Sequence, residues 1–176
     1  DESVDWHNTK NLMIEGDNLE VLKLLQKSYA GKVKLIYIDP PYNTGKDFVY
    51  SDNFQDNMKN YLEMTGQTED GTRLSTNTET SGRYHTDWLN MIHPRIKLAK
   101  NLLKKDGIFI ASIDDAELSN FKIVLNEIFG EENHLGTLVW DRNRKNDAKY
   151  FSVGHEYMLV YARNESYLTD SEIIFR

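Results

Sequence analysis

The stretch Val33-Lys34-Leu35-Ile36-Tyr37-Ile38-Asp39-Pro40-Pro41-Tyr42 decides how the rest of the chain is read. Its first six residues are apolar except for Lys34, the pattern of a strand covered on both faces. The run meets two prolines, which cannot continue a sheet ladder. Upstream, Leu12, Met13 and Ile14 are expected to form a short strand ended by Gly16. Asp17 or Asn18 then caps a helix through about Tyr29, with Leu19, Val21, Leu22, Leu24 and Leu25 as a broad apolar face and Gly31 as its stop. Downstream, Trp88, Ile92, Ile96, Ala99 and Leu103 recur every three to four residues, so a helix is expected from near Asp87. Pro94 should kink it or begin its second segment, and Asp106-Gly107 should end it. Residues 108–113 read as another buried strand. Asp114-Asp115 with Glu117 are expected to cap a helix through Phe129, closed by Gly130. Two further strands are expected at 137–140 and 157–161.

Alternating strands and helices argue for an α/β domain with a mainly parallel sheet flanked by helices. In open sheets of this kind ligands collect beyond the carboxyl ends of the strands, and Asp39 and Asp114 both fall at such ends.

The composition fits one soluble domain: 176 residues, 39% hydrophobic and 28% charged. No apolar run approaches the roughly 20 residues a membrane span needs. The acidic opening Asp1-Glu2-Ser3-Val4-Asp5 is unlike a signal peptide, so a cytoplasmic protein with no membrane partner is expected. The absence of cysteine excludes disulfides and thiolate metal sites, and the five histidines lack zinc-site spacing, so no metal is expected. A net charge of −7 counts against indiscriminate nucleic-acid binding. Two local stretches run the other way: residues 91–106, with Arg95, Lys97, Lys100, Lys104 and Lys105, and residues 141–149. Each reads either as part of a DNA-binding face or as solvated charge. Between them and the first strand, residues 43–85 are polar, and 66–82 hold a single aliphatic residue, Leu74; a mobile insertion at about 57–86 is expected.

Asp39-Pro40-Pro41-Tyr42 is either a strand-ending turn or a device for activating an aromatic amine. The exocyclic nitrogen of adenine is a poor nucleophile because its lone pair is delocalised into the ring. Methylating it requires acceptors for both amino hydrogens, so that the nitrogen can pyramidalise as it attacks. A carboxylate supplies one acceptor, and a backbone carbonyl held by a proline–proline turn supplies the other. An aromatic ring can then stack on a base that has left the duplex.

The segment Leu35-Ile36-Tyr37-Ile38-Asp39-Pro40-Pro41-Tyr42-Asn43-Thr44-Gly45 closely resembles motif IV of the β-class amino-methyltransferases. The similarity continues in order through Glu15-Gly16-Asp17-Asn18-Leu19, His85-Thr86-Asp87-Trp88-Leu89, Ser112-Ile113-Asp114-Asp115 and Asn146-Asp147-Ala148-Lys149-Tyr150-Phe151-Ser152. This series resembles the modification subunits of type III restriction–modification systems, and it covers roughly residues 11–164 apart from the insertion. The resemblance implies a Rossmann-like fold and a DNA adenine-N6 methyltransferase using S-adenosylmethionine, with residues 1–164 as its catalytic domain and 165–176 as the start of a target-recognition region or a tail. Asp39 and the Pro40 carbonyl would hold the amine, with Pro41 completing the rigid turn and Tyr42 stacking on the base. Asp17 and Asp39 would face the cofactor, Asp17 at its adenosine part, although Asp17 also suits a helix cap. Tyr150 and Phe151 form either the second face of a base clamp or ordinary packing; Asp114 either orders the site or caps a helix; Trp88 is core.

One family element is missing. None of the ten glycines stands in a Gly-x-Gly after a strand, so the glycine-rich motif that cradles the methionine end of the cofactor is absent. In the β class this motif lies downstream, which implies an incomplete fold, an incomplete cofactor site and an isolated chain without activity. The implied partners are double-stranded DNA, a second copy of the chain through an exposed sheet edge, and a restriction (helicase/nuclease) subunit. Cytosine-N4 methylation and a non-catalytic DNA-binding or assembly fragment are the alternatives, and methylation of RNA or a protein amide is a third. Families acting on cytosine more often carry Ser before the prolines, where this chain has Asp39.

Overall fold

The computed structural model of the protein describes residues 5, 7–45, 68–69, 72–73, 84–142 and 154–169. After helix α1 (Asn18–Tyr29) come strand β1 (Val33–Ile38), a small antiparallel hairpin of β2 (Thr68–Glu69) and β3 (Thr72–Arg73), and helix α2 (Tyr84–Leu102). Strand β4 (Leu103–Ile113), helix α3 (Leu118–Phe129), strands β5 (His134–Asp141) and β6 (His155–Ala162), and the short helix α4 (Glu165–Thr169) follow.

The main sheet has the order β1-β4-β6-β5. It is mixed: β1 pairs parallel with β4, while β6 runs antiparallel to both β4 and β5, so three of the four strands share one direction. Helices α2 and α3 cover one face, where Trp88, Ile92, Ile96, Phe121 and Leu125 pack on Phe109, Ala111, Ile113, Leu159 and Tyr161 of the strands. On the other face Ile108, Val160 and Ala162 gather around Leu168 of α4.

Several local expectations are corrected. Leu12, Met13 and Ile14 form no strand and lie exposed, because no sheet neighbour pairs with them among the described residues. Within the broad apolar face expected of α1, Leu19 is buried but Leu24 is exposed. Helix α2 begins at Tyr84, runs through Pro94 as one element and ends at Leu102. Asp106-Gly107 therefore does not stop a helix; it lies in an irregularity of β4, where the pairing jumps from Val33↔Leu103 to Leu35↔Ile108. Gly107 is required there, since a Cβ would stand 2.9 Å from the Lys104 carbonyl. The capping box expected before α3 does not form: Asp114 accepts from the Ala116 N–H at 2.9 Å, and the Glu117 side chain turns into the protein without capping. Nor do the bases of residues 91–106 make one outward face, since Arg95 is buried against Asn18 and the Met91 carbonyl, and Lys100 reaches the Ile128 carbonyl. Of the second basic stretch, residues 143–149 lie outside the described residues. Among the described residues no helix is long and apolar enough to cross a membrane.

Candidate functional site

The parallel ladder sets Ile38 beside Ala111, so the residue after each strand position meets its counterpart at the carboxyl end of the pair. There the Ser112 hydroxyl lies 2.5 Å from Asp39 Oδ1 and 3.3 Å from the Ile38 carbonyl, and its single proton goes to the nearer carboxylate. The Tyr42 hydroxyl donates to the same Oδ1 at 2.9 Å. Asp39 is exposed, and its Oδ2 takes no donor among the described residues. One oxygen is thus held while the other faces solvent.

The turn is fixed from below. Pro40 is buried, and the indole N–H of the fully buried Trp88 donates to the Pro41 carbonyl at 2.7 Å. Trp88 is in turn set edge-on against Phe121, with ring centroids 5.3 Å apart. Reading Trp88 as core is correct, and the residue also clamps the motif. The Pro40 carbonyl receives no hydrogen bond among the described residues. Tyr42 is half-buried and packs on the main core. Burial raises its phenol above the ordinary value; the hydrogen bond and charge of Asp39 push the same way, and only the contact with Ser112 opposes them. The phenol therefore stays protonated and donates to the carboxylate.

Two further carboxylates were expected nearby. Asp17 caps α1, its Oδ1 accepting from the Leu19 and Glu20 N–H groups at 2.9 and 3.1 Å, with Arg95 at 3.9 Å from its other oxygen. Asp114 makes the local turn after β4 described above. Beside it Asp115 accepts from the Tyr157 hydroxyl at 2.8 Å, which joins the start of β6 to the same rim. Tyr150 and Phe151 lie outside the described residues. Sequence reasoning missed Ser112 as a site residue, and also Glu117 and His85, which stand behind the turn. Only the strand register, not any local pattern, brings Ser112 to Asp39.

A DNA methylase family model (N6_N4_Mtase) matches residues 33–176. The chain is 45% identical over 163 residues to the Mod subunit of the type III restriction–modification enzyme EcoP15I of Escherichia coli, covering 92% of this chain and 25% of that subunit. Against the EcoPI Mod subunit of Escherichia phage P1 it is 43% identical over 162 residues, 90% of this chain and 25% of the other. With the type II methyltransferase M.KpnI of Klebsiella pneumoniae the identity is 34% over 160 residues, 90% of this chain and 34% of the other. The chain thus spans a quarter to a third of the length of these relatives. Among solved structures, the cytosine-N4-specific PvuII DNA methyltransferase superposes with a TM-score of 0.51 at 16% identity, over 85% of this chain and 48% of that one. A Thermus thermophilus protein solved in complex with S-adenosyl-L-methionine does so with a TM-score of 0.50 at 13% identity, over 85% of this chain and 54% of that one. These likenesses show the Rossmann-like methyltransferase fold. By the match of residues 33–176, the chain belongs to the DNA methylase family.

Proposed function

We propose that this chain is the catalytic portion of a site-specific DNA adenine-N6 methyltransferase of a restriction–modification system, acting in the cytoplasm on an adenine flipped out of double-stranded DNA. The observation that carries the reading is the asymmetric carboxylate of Asp39: Oδ1 is fixed by Ser112 and Tyr42, and Oδ2 is open at the carboxyl end of β1. A rigid mount and a vacant acceptor are what capture of an amino hydrogen requires. The Pro40 carbonyl, pinned through its neighbour by Trp88, accepts the second amino hydrogen. With both hydrogens held, the nitrogen lone pair leaves the plane of the ring and is directed at the methyl donor. Tyr42, braced on the core, offers its ring face to the base.

S-adenosylmethionine, when bound, supplies the electrophilic methyl group. Asp17 is the residue proposed for its adenosine part, a role that its capping of α1 leaves compatible with Oδ2. The methionine end finds no glycine-rich cradle in these 176 residues, so the cofactor site is incomplete here. The relatives' names as Mod subunits of restriction–modification enzymes favour association with a restriction subunit, and the outer position of β1 in the sheet favours association with a second copy of the chain. Cytosine-N4 methylation is the second reading, since the PvuII enzyme shares the fold; Asp39 in place of Ser favours adenine.

Replacing Asp39 by Ala in the full-length protein tests the assignment. Methyl transfer to DNA should fall by about a thousandfold or more, while unfolding should move by no more than about 1–3 kcal/mol, since the Ser112 and Tyr42 hydroxyls lose the acceptor they share. Transfer at the parent rate would remove Asp39 from the chemistry. Mass analysis of the methylated nucleosides separates N6-methyladenine from N4-methylcytosine.

A further inference from the structure

Asn43 follows Tyr42 directly and is wholly buried, with φ at +61°, in the left-handed region. Asn tolerates that region better than most residues, but a single buried residue stays there only where its surroundings hold it. Its side-chain amide donates to Glu117 Oε1 at 2.5 Å and to the Tyr84 carbonyl at 3.2 Å, and its own carbonyl accepts from the Tyr84 hydroxyl. Glu117 is 0% exposed. Besides Asn43 its carboxylate meets His85 Nδ1 at 2.7 Å and the Asn120 amide at 2.8 Å. A buried carboxylate is costly unless donors surround it, and here three do. They come from the turn after β1, the first helical turn of α2 and the start of α3, so one carboxylate ties three elements to a single point. The N-terminus of α3 has no side-chain cap in consequence: the residue placed to cap it points at Asn43 instead.

We propose that Glu117 is the positioning residue of the Asp39-Pro40-Pro41-Tyr42 turn, acting through Asn43, with His85 orienting its carboxylate. The inference rests on the methyltransferase reading above. Proline fixes φ at positions 40 and 41, so few torsions separate Asn43 from the groups that face the base. If Asn43 leaves its left-handed conformation, the Tyr42 ring and the Pro40 carbonyl must turn with it. Trp88 holds the turn at Pro41, and Glu117 holds it two residues later.

The test exploits the sense of the bond, carboxylate at 117 and amide at 43. Glu117→Gln replaces a charged acceptor by a neutral amide, whose carbonyl can serve Asn43 only by turning its NH2 toward the Asn120 amide, and Asn43→Asp sets carboxylate against carboxylate. The double variant restores an amide–carboxylate pair with its sense reversed, while the donation from position 43 to the Tyr84 carbonyl is lost. In the full-length protein each single variant should lower kcat for DNA methylation by about 10- to 100-fold, with KM for DNA and S-adenosylmethionine affinity within about twofold of the parent, and the double variant should recover part of the loss. A Glu117→Gln protein with parent kcat overturns the proposal. So does a double variant no better than the worse single, or a set of variants that all fail to fold, since Glu117 would then serve folding alone. Should the parent itself transfer no methyl group, the enzymatic reading fails, and the positioning role is decided by a crystal structure of the Glu117→Gln variant. An Asn43 that keeps its left-handed φ, with Tyr42 unmoved, overturns it; a re-aimed turn supports it.

Discussion

The two faces of the sheet are built differently. Toward α2 and α3 the strands present Phe109, Ala111, Ile113, Leu159 and Tyr161, all fully buried, and β1 adds Ile36 and Ile38. On the reverse face α4 covers Ile108, Val160 and Ala162 through Leu168, while Leu35 and Tyr37 of β1 are 55% and 53% exposed. Side chains alternate along a strand, so Asp39 continues the Leu35–Tyr37 side; its contact with Ser112, which shares the side of Ile108 and Ile110 on β4, agrees. The carboxylate thus belongs to the open face. What holds its turn, Trp88 and the Glu117–Asn43 pair, belongs to the closed one. A group that must meet a substrate needs free space and a stiff mount together, and the sheet supplies them from opposite sides.

One substitution made on both faces should produce the largest contrast. Leu159→Ala, at a fully buried position, should cost about 3–5 kcal/mol by loss of burial and creation of a cavity. Leu35→Ala should cost less than about 0.5 kcal/mol. Urea denaturation of the two variants measures both. Comparable losses would mean that Leu35 is covered in solution and that the faces are equivalent.

A smaller effect is expected where the closed face grips the turn. Trp88→Phe keeps an aromatic ring against Phe121 but removes the donor to the Pro41 carbonyl. Loss of that bond, with the carbonyl partly enclosed, should lower stability by about 1–3 kcal/mol. Thermal unfolding with no change would show that water replaces the indole and that the ring only fills space.

These differences follow what a local pattern can encode. Residues 33–38 are legible as a strand because an apolar run before two prolines has few other uses, but the cover expected on both faces is absent at the exposed Leu35 and Tyr37; α3 is legible because Gly130, at φ +94°, closes its apolar spacing. Leu12, Met13 and Ile14 have strand-like composition, but composition does not supply a partner strand. Glu117 sits three residues after Asp114, where a capping glutamate belongs, and nothing local shows that Asn43, 74 residues earlier, will claim its carboxylate. Arg95 likewise reads as one base among five and is buried against Asn18. The motif itself was readable because its four groups are contiguous; its mount was not, because the mount is assembled from α2, β4 and α3.

The smallest effect lies at the margin of the closed face, where the His134 ring meets the ring of Tyr161 with centroids 4.9 Å apart. Burial lowers the His134 pKa from 6.5, the charge of Lys122 adds to this, and a backbone contact with Gly136 opposes it. Under the same core the Tyr161 phenol is pushed up to about 12, again by burial first. A histidine with a depressed folded pKa binds its proton more readily in the unfolded chain. Stability contributed by His134 is therefore fully present above pH 6.5 and is lost as pH falls from there through the lower folded value. His134→Gln should flatten that part of the stability–pH curve and leave the alkaline side unchanged, while Leu35→Ala on the open face should leave the whole pH dependence as it was. A His134→Gln protein that loses stability below pH 6.5 as steeply as the parent would locate the titration elsewhere and free the margin of the closed face from any part in it.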